Sequence, residues 1–145
     1  MRLGPAIFLS ALALFAGCSK APTASDHTHL HVDHPPHGGT AVVLGDEDYH
    51  IELVLDSATG TLQAYVLDGE MEDFIRSAVP SIEIAATARG TTRTLVLAAV
   101  ANPATGETVG DTSLFEGRAP WLRSVGSFEG NLEAIVIRGT KFSYS

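Results

Sequence analysis

The chain has 145 residues, and 17 acidic against nine basic side chains give a formal charge of −8 with histidine neutral. That length accommodates one domain and not two comfortable ones. The acidic balance argues against nucleic acid as a partner, and against an electrostatic grip on anionic lipid.

The N-terminus reads first. Arg2 gives a positive start, and residues 3–17 form an uncharged, largely apolar run. At roughly 15 residues it is shorter than the about 20 that a bilayer span needs. A charged start, a short apolar stretch and a small-residue exit describe a secretory signal peptide over residues 1–17. The exit, Leu14-Phe15-Ala16-Gly17-Cys18, resembles the lipobox of bacterial lipoproteins. The resemblance implies cleavage before Cys18, diacylglycerol on its thiol and a palmitate-type acyl chain on its new amine. Phe15 stands where an aliphatic residue is more usual. Ser19 resembles an outer-membrane sorting residue, which implies a lipid-anchored protein on the periplasmic side of the outer membrane. Cys18 is the only cysteine, so a lipidated chain has no disulfide, thiol nucleophile or thiolate ligand.

Residues 18–39 read as a flexible linker. The segment His27-Thr28-His29-Leu30-His31-Val32-Asp33-His34-Pro35-Pro36-His37-Gly38-Gly39 carries two prolines, two glycines and few large apolar groups. Such a stretch buries too little surface to offset chain entropy. All six histidines of the protein fall between positions 27 and 50. Neutral imidazole is a ligand for Zn, Cu and Ni, and His-rich tracts carry that signature. On an extended backbone His27, His29 and His31 share one side, with Asp26 and Asp33 beside them and His34 and His37 following. The spacing is not that of a closed structural zinc site. It suits a flexible collector of a divalent transition metal; a polar spacer, or a tail that charges below about pH 6.5, are the other readings.

From Thr40 the signals are those of strands. Residues 40–44 form a β-branched run. Residues 49–56 alternate, with Tyr49, Ile51, Leu53 and Leu55 on one face and His50, Glu52, Val54 and Asp56 on the other. A turn at 57–60 leads into a strand at 61–67, which makes a hairpin with a four-residue connection. Residues 70–79 fit helical spacing weakly through Met71, Phe74, Ile75 and Ala78, and Pro80 closes them. Strands follow at 81–86 and 92–100, short candidates at 112–115 and 120–125, a good strand at 131–138 and a weak one at 141–144. Repeated amphipathic helices are missing. The expected fold of residues 40–145 is therefore all-β and antiparallel, an Ig-like β-sandwich or a small barrel. Its expected core combines strand-face Ile, Leu and Val with Tyr49, Tyr65, Phe115, Trp121 and Phe128.

His50 lies two residues before Glu52 on one strand face, so imidazole and carboxylate are able to converge on one ion; a solvent-facing polar residue is the alternative. With His37 they form a candidate second site, where the linker joins the domain. His37-Gly38-Gly39, Tyr49-His50-Ile51-Glu52-Leu53, Asp56 with Gly60, and Tyr65-Val66-Leu67-Asp68 resemble a pattern in small, mostly uncharacterised envelope lipoproteins. Similar HGG segments occur beside heavy-metal efflux adaptors. The resemblance spans about residues 34–68 and implies metal handling with His37, His50 and Glu52 as candidate ligands.

Catalysis is not expected. There is no Gly-x-Ser-x-Gly elbow, no available cysteine and no histidine beyond position 50. Gly38-Gly39 lacks the Lys and helix of a phosphate loop. The expected function is metal capture, buffering or hand-over to a transport system. The alternative is an interaction module of the envelope whose His-rich tail is only a tether.

Overall fold

A computed structural model describes residues 34–145. The signal segment, Cys18, His27, His29 and His31 lie outside the described residues. The described chain is all-β. Eight strands, β1 (Thr40–Leu44), β2 (Tyr49–Asp56), β3 (Thr61–Asp68), β4 (Ser81–Ala88), β5 (Thr91–Ala99), β6 (Leu114–Arg118), β7 (Glu129–Ile137) and β8 (Thr140–Tyr144), form one antiparallel sheet in the order β1-β2-β3-β6-β5-β4-β7-β8. The sheet curls into a nearly closed barrel, the second of the two expected architectures.

The turns are chemically specified. Asp56 accepts hydrogen bonds at Oδ1 from the N–H groups of Ala58 and Thr59, and at Oδ2 from the Thr59 hydroxyl. Gly60 closes the turn at φ 73°, a left-handed conformation that costs a residue with a Cβ about 1 kcal/mol or more. The register that follows pairs Asp56 with Thr61 and carries Glu52 opposite Tyr65. Both therefore lie on one face of the hairpin.

The inward face is apolar. Ile51, Leu62, Ala64, Val66, Ile82, Ile84, Leu97, Phe115, Leu132, Ile135 and Ile137 are buried together. Tyr49, Trp121 and Phe128 are half-buried against this core. Tyr65 is not among them. Its side chain belongs to the outward face, as its pairing with Glu52 requires.

Two segments depart from the sequence reading. Residues 70–79 are not helical; they run extended over the outward face, bridging Leu67 with Phe74 and Ser77 with Thr112. Met71 at φ 57° blocks a helix there, and the Ile75 N–H is spent on the Val66 carbonyl at 2.9 Å. Residues 120–125 contain a 3₁₀ helix, Pro120–Ser124, rather than a strand. Pro120 supplies no N–H to a ladder and suits a first helical position.

The barrel has a seam. β1 and β8 end the sheet and approach each other across it, where Tyr49 of β2 packs edge-to-face on Phe142 of β8, centroids 5.4 Å apart. They part toward Thr40 and Tyr144, leaving a cleft of about 450 Å³ lined by Val42, Leu53, Leu55 and Phe128. The closed side carries the packing: Phe115 on β6 has no exposed surface. Phe115→Ala should destabilise the domain by about 3–5 kcal/mol through lost burial and a residual cavity. Urea unfolding reads this as a lower midpoint; an unchanged midpoint would show that the core does not rest on Phe115.

Candidate functional site

The site is built on Glu52, in the middle of β2. Its side chain is on the outward face yet has 0% exposure, because the chain entering β1 folds over it. A carboxylate with no access to water needs donors around it. Oε1 accepts from the backbone N–H of His37 and of Gly39, both at 2.8 Å. Oε2 takes the His37 ring nitrogen Nδ1, also at 2.8 Å. The segment His37-Gly38-Gly39 is thus a clamp around one carboxylate.

Both glycines are needed for it. Gly38 sits at φ 71° and donates its N–H to the Pro35 carbonyl at 3.0 Å, a turn that aims the His37 N–H back at Glu52. At Gly39 the limit is space: a Cβ would stand 2.4 Å from the Leu53 carbonyl oxygen and 2.9 Å from Glu52 Cγ.

With the carboxylate accepting, Nδ1 of His37 is the donor, a tautomer assigned from this bond. The other ring nitrogen, Nε2, is then the basic one. The ring stacks on Tyr65 with centroids 3.8 Å apart and 13° between planes, and Phe74 lies 5.9 Å away. The His37 side chain keeps 36% of its surface exposed. Burial, and then the charges of Glu52 and Glu116, push the Tyr65 phenol above its ordinary range, so Tyr65 serves as a neutral platform at neutral pH.

His50 goes elsewhere. It shares the face of Glu52 and is buried, but its Nδ1 engages the Asp68 carbonyl at 3.2 Å. Of the three residues that the sequence reading joined, His37 and Glu52 touch, and the His50 ring contacts the end of β3. Among the described residues, no group of three or more His, Cys, Asp or Glu side chains is arranged to hold a metal. His34 is exposed, ahead of the turn.

Beyond His37 a groove of about 420 Å³ opens, lined by His37, Tyr65, Phe74, Leu114, Arg76 and Glu107 among others. Phe74 is 49% exposed at its edge. Arg76 donates to Asp111 Oδ2 at 2.9 Å and to the Thr105 carbonyl at 2.7 Å. Glu107 accepts at Oε1 from the Ser113 N–H at 2.8 Å and hydroxyl at 2.6 Å, and at Oε2 from the Thr105 hydroxyl at 2.6 Å.

Sequence reasoning missed Tyr65, Phe74 and this Glu107 network. Tyr65 was within reach, since a four-residue hairpin fixes it opposite Glu52. Phe74 was hidden by the helical reading of its segment. The chain matches no family model, no curated protein and no solved structure.

Two outcomes follow from these contacts. Gly39→Ala should cost about 1–3 kcal/mol as an overpacking change against backbone, read by urea unfolding; an unchanged midpoint would mean that the clamp yields freely. Glu107 concerns acid stability. Burial works to raise its pKa, but the Ser113 and Thr105 hydroxyls, the Ser113 N–H and the Arg76 charge outweigh it, and the net shift is downward. A carboxyl whose folded pKa is depressed adds stability above its unfolded value, near 4.3, and loses it as pH falls through the folded one. Stability measured from about pH 6 down to 3 should therefore fall less steeply in Glu107→Gln than in the wild type. Parallel curves would remove Glu107 from the acid limb.

Proposed function

We propose that the protein is a lipid-anchored lipoprotein of the cell envelope that captures a divalent transition metal through its His-rich segment, with His37 as the ordered ligand. The metal is cargo, buffered or handed to a transport system, and the reading is one of binding rather than catalysis. The observation that carries it is the Nδ1 contact between His37 and the buried Glu52 carboxylate. A carboxylate on the far nitrogen fixes ring orientation and raises the basicity of the ligating one, the arrangement that accompanies imidazole ligands in metal proteins. His37 supplies a single ligand. The remaining donors in this reading are His27, His29, His31 and His34, with Asp26 and Asp33 available beside them. His50 is not part of the set, since its ring is buried against the Asp68 carbonyl. Without thiolate, Zn(II), Cu(II) and Ni(II) are favoured over Cu(I).

The test is calorimetric titration of residues 18–145 carrying Cys18→Ser with each metal at about pH 7.4 and about pH 5.5, either side of the ordinary imidazole pKa. Submicromolar binding that collapses at the lower pH is expected, because protons compete for the same nitrogens. Glu52→Gln should weaken the neutral-pH affinity by about 10–100-fold. The amide keeps the shape but presents an N–H to Nδ1, which moves the ring proton onto Nε2 and removes that ligand. High-micromolar binding for all three metals would sink the proposal. Full-strength binding in Glu52→Gln would confine capture to the other histidines.

A further inference from the structure

We propose that the cleft at the open end of the barrel seam binds a long-chain fatty acid, with the hydrocarbon chain on its apolar floor and the carboxylate toward a rim of arginines. The cleft shares no lining residue with the His37 groove, and the inference does not rest on the metal reading.

The cleft has two structural causes. Val42 on β1 and Leu53 and Leu55 on β2 line it and are only half-buried, because β1 and β8 part beside them. On β7, Gly130 has the inward parity of Leu132, so a position able to fill the space carries no side chain. A Cβ there would stand 3.2 Å from Phe128 Cε2 and 3.4 Å from Ile84 Cγ2. A narrow apolar pocket shares Val42, Leu53 and Gly130 with the cleft and reaches Ile51, Ile84 and Leu132. The cleft measures about 450 Å³, within the about 300–1,000 Å³ typical of small-molecule sites.

The floor selects the body of the ligand. Its inner side chains are hydrocarbon, so a peptide or sugar reaching them would lose hydration without gaining hydrogen bonds. A methylene chain loses nothing there and leaves water.

Charge selects the head. The register places Thr40, the Asp56–Thr61 turn, Arg118, the Ala88–Thr91 turn and Glu129 at one end of the barrel, where the cleft opens. Four of the seven basic residues in 34–145 belong to this end: Arg89, Arg93, Arg118 and Arg123. The acidic turn Asp46-Glu47-Asp48 and the acidic stretch after β3 lie at the other. Arg118 is paired with Glu116. Arg89, Arg93 and Arg123 instead meet neutral groups, the Ser124 carbonyl, the Trp121 ring and the Thr59 carbonyl, and keep their charge. All three contacts hold residues 121–124, which run directly into the lip at 126–130. Against them stand Glu129 on the lip and Asp56, whose oxygens are taken by its own turn. The balance favours an anionic head group.

The experiment uses the Cys18→Ser chain of residues 18–145 and cis-parinarate, a fatty acid whose fluorescence rises in an apolar site. Saturable binding that laurate displaces is expected. Gly130→Val fills the cleft from β7 and Val42→Phe obstructs it from β1; each should weaken binding about tenfold or more, as added bulk meets packed neighbours. Urea midpoints confirm that both variants fold. Replacing Arg89 and Arg93 together by Gln should weaken laurate about tenfold and leave dodecanol, its uncharged counterpart, unchanged. Laurate that fails to displace the probe, or wild-type binding in both cleft variants, overturns the proposal. Dodecanol that competes as well as laurate overturns the assignment to an acid. Displacement by phosphatidylglycerol vesicles alone would give the cleft to a membrane lipid, and displacement by an alternating Thr-Val peptide alone would make the seam a strand acceptor. Either result overturns the fatty acid.

Discussion

One buried carboxylate organises this end of the molecule. Glu52 lies on a strand face that the alternation of β2 assigns to solvent, and yet it has no contact with water. Stranded there alone, its charge would cost several kcal/mol. The cost is met by wrapping the incoming chain around it, and the details of the wrapping follow from that demand. Two backbone N–H groups must point at one oxygen, so Gly38 takes a left-handed conformation and Gly39 presses on the Leu53 carbonyl. The imidazole reaches the other oxygen, and its ring comes to rest on Tyr65. A histidine at the join of linker and barrel thereby acquires one orientation and one tautomer.

The barrel contributes the register that makes this possible. The tight turn after β2, fixed by Asp56 and Gly60, sets Tyr65 opposite Glu52 and gives the imidazole its platform. The segment between β3 and β4 then crosses the same face, bringing Phe74 to the rim and sending Arg76 to Asp111 and the Thr105 carbonyl. Thus Tyr65 of β3 and Leu114 of β6 line the groove from the sheet, and irregular chain supplies the rest. Each buried side-chain nitrogen or oxygen among the described residues has a partner. The groove is a preformed feature of the domain, held by its own hydrogen bonds.

How far the sequence disclosed all this depends on the kind of signal. Period-two alternation identified β2 and β3 closely, because one face is core and the hairpin turn has unambiguous chemistry. It also assigned His50 and Glu52 to one face correctly. What alternation cannot say is whether the outward face is covered, since that depends on residues 37–39 and 69–79 returning to it from elsewhere in the chain. His50 and Glu52 were therefore legible as neighbours, and their burial was not. Tyr65 was assigned to the core for being aromatic, although its parity with Glu52 argued otherwise. The helix expected at 70–79 failed because Asp68 gathers the N–H groups of Met71, Glu72 and Asp73 into a local turn that pairs Phe74 with Leu67, and the distant Thr112 then takes Ser77. Pro120, read within a short strand, was the sign of a helical turn.

The distribution of histidines has a physical sense on the proposed reading. A rigid cage of several histidines would bind tightly and release slowly, which suits a structural metal and not cargo. A chain that fixes one imidazole on a carboxylate and draws its other ligands from upstream sequence behaves differently. On the proposed reading the fixed ring loses no rotational freedom when metal arrives and would capture first, and the upstream histidines would then add at an effective concentration set by the few residues between them and His37. Because the second step is intramolecular, affinity is high while all ligands engage. Because those ligands detach one at a time, an incoming acceptor has a path for replacing them without waiting for complete dissociation. On the proposed reading a single buried glutamate, by holding His37 in place, would separate the step that selects metal from the steps that retain it.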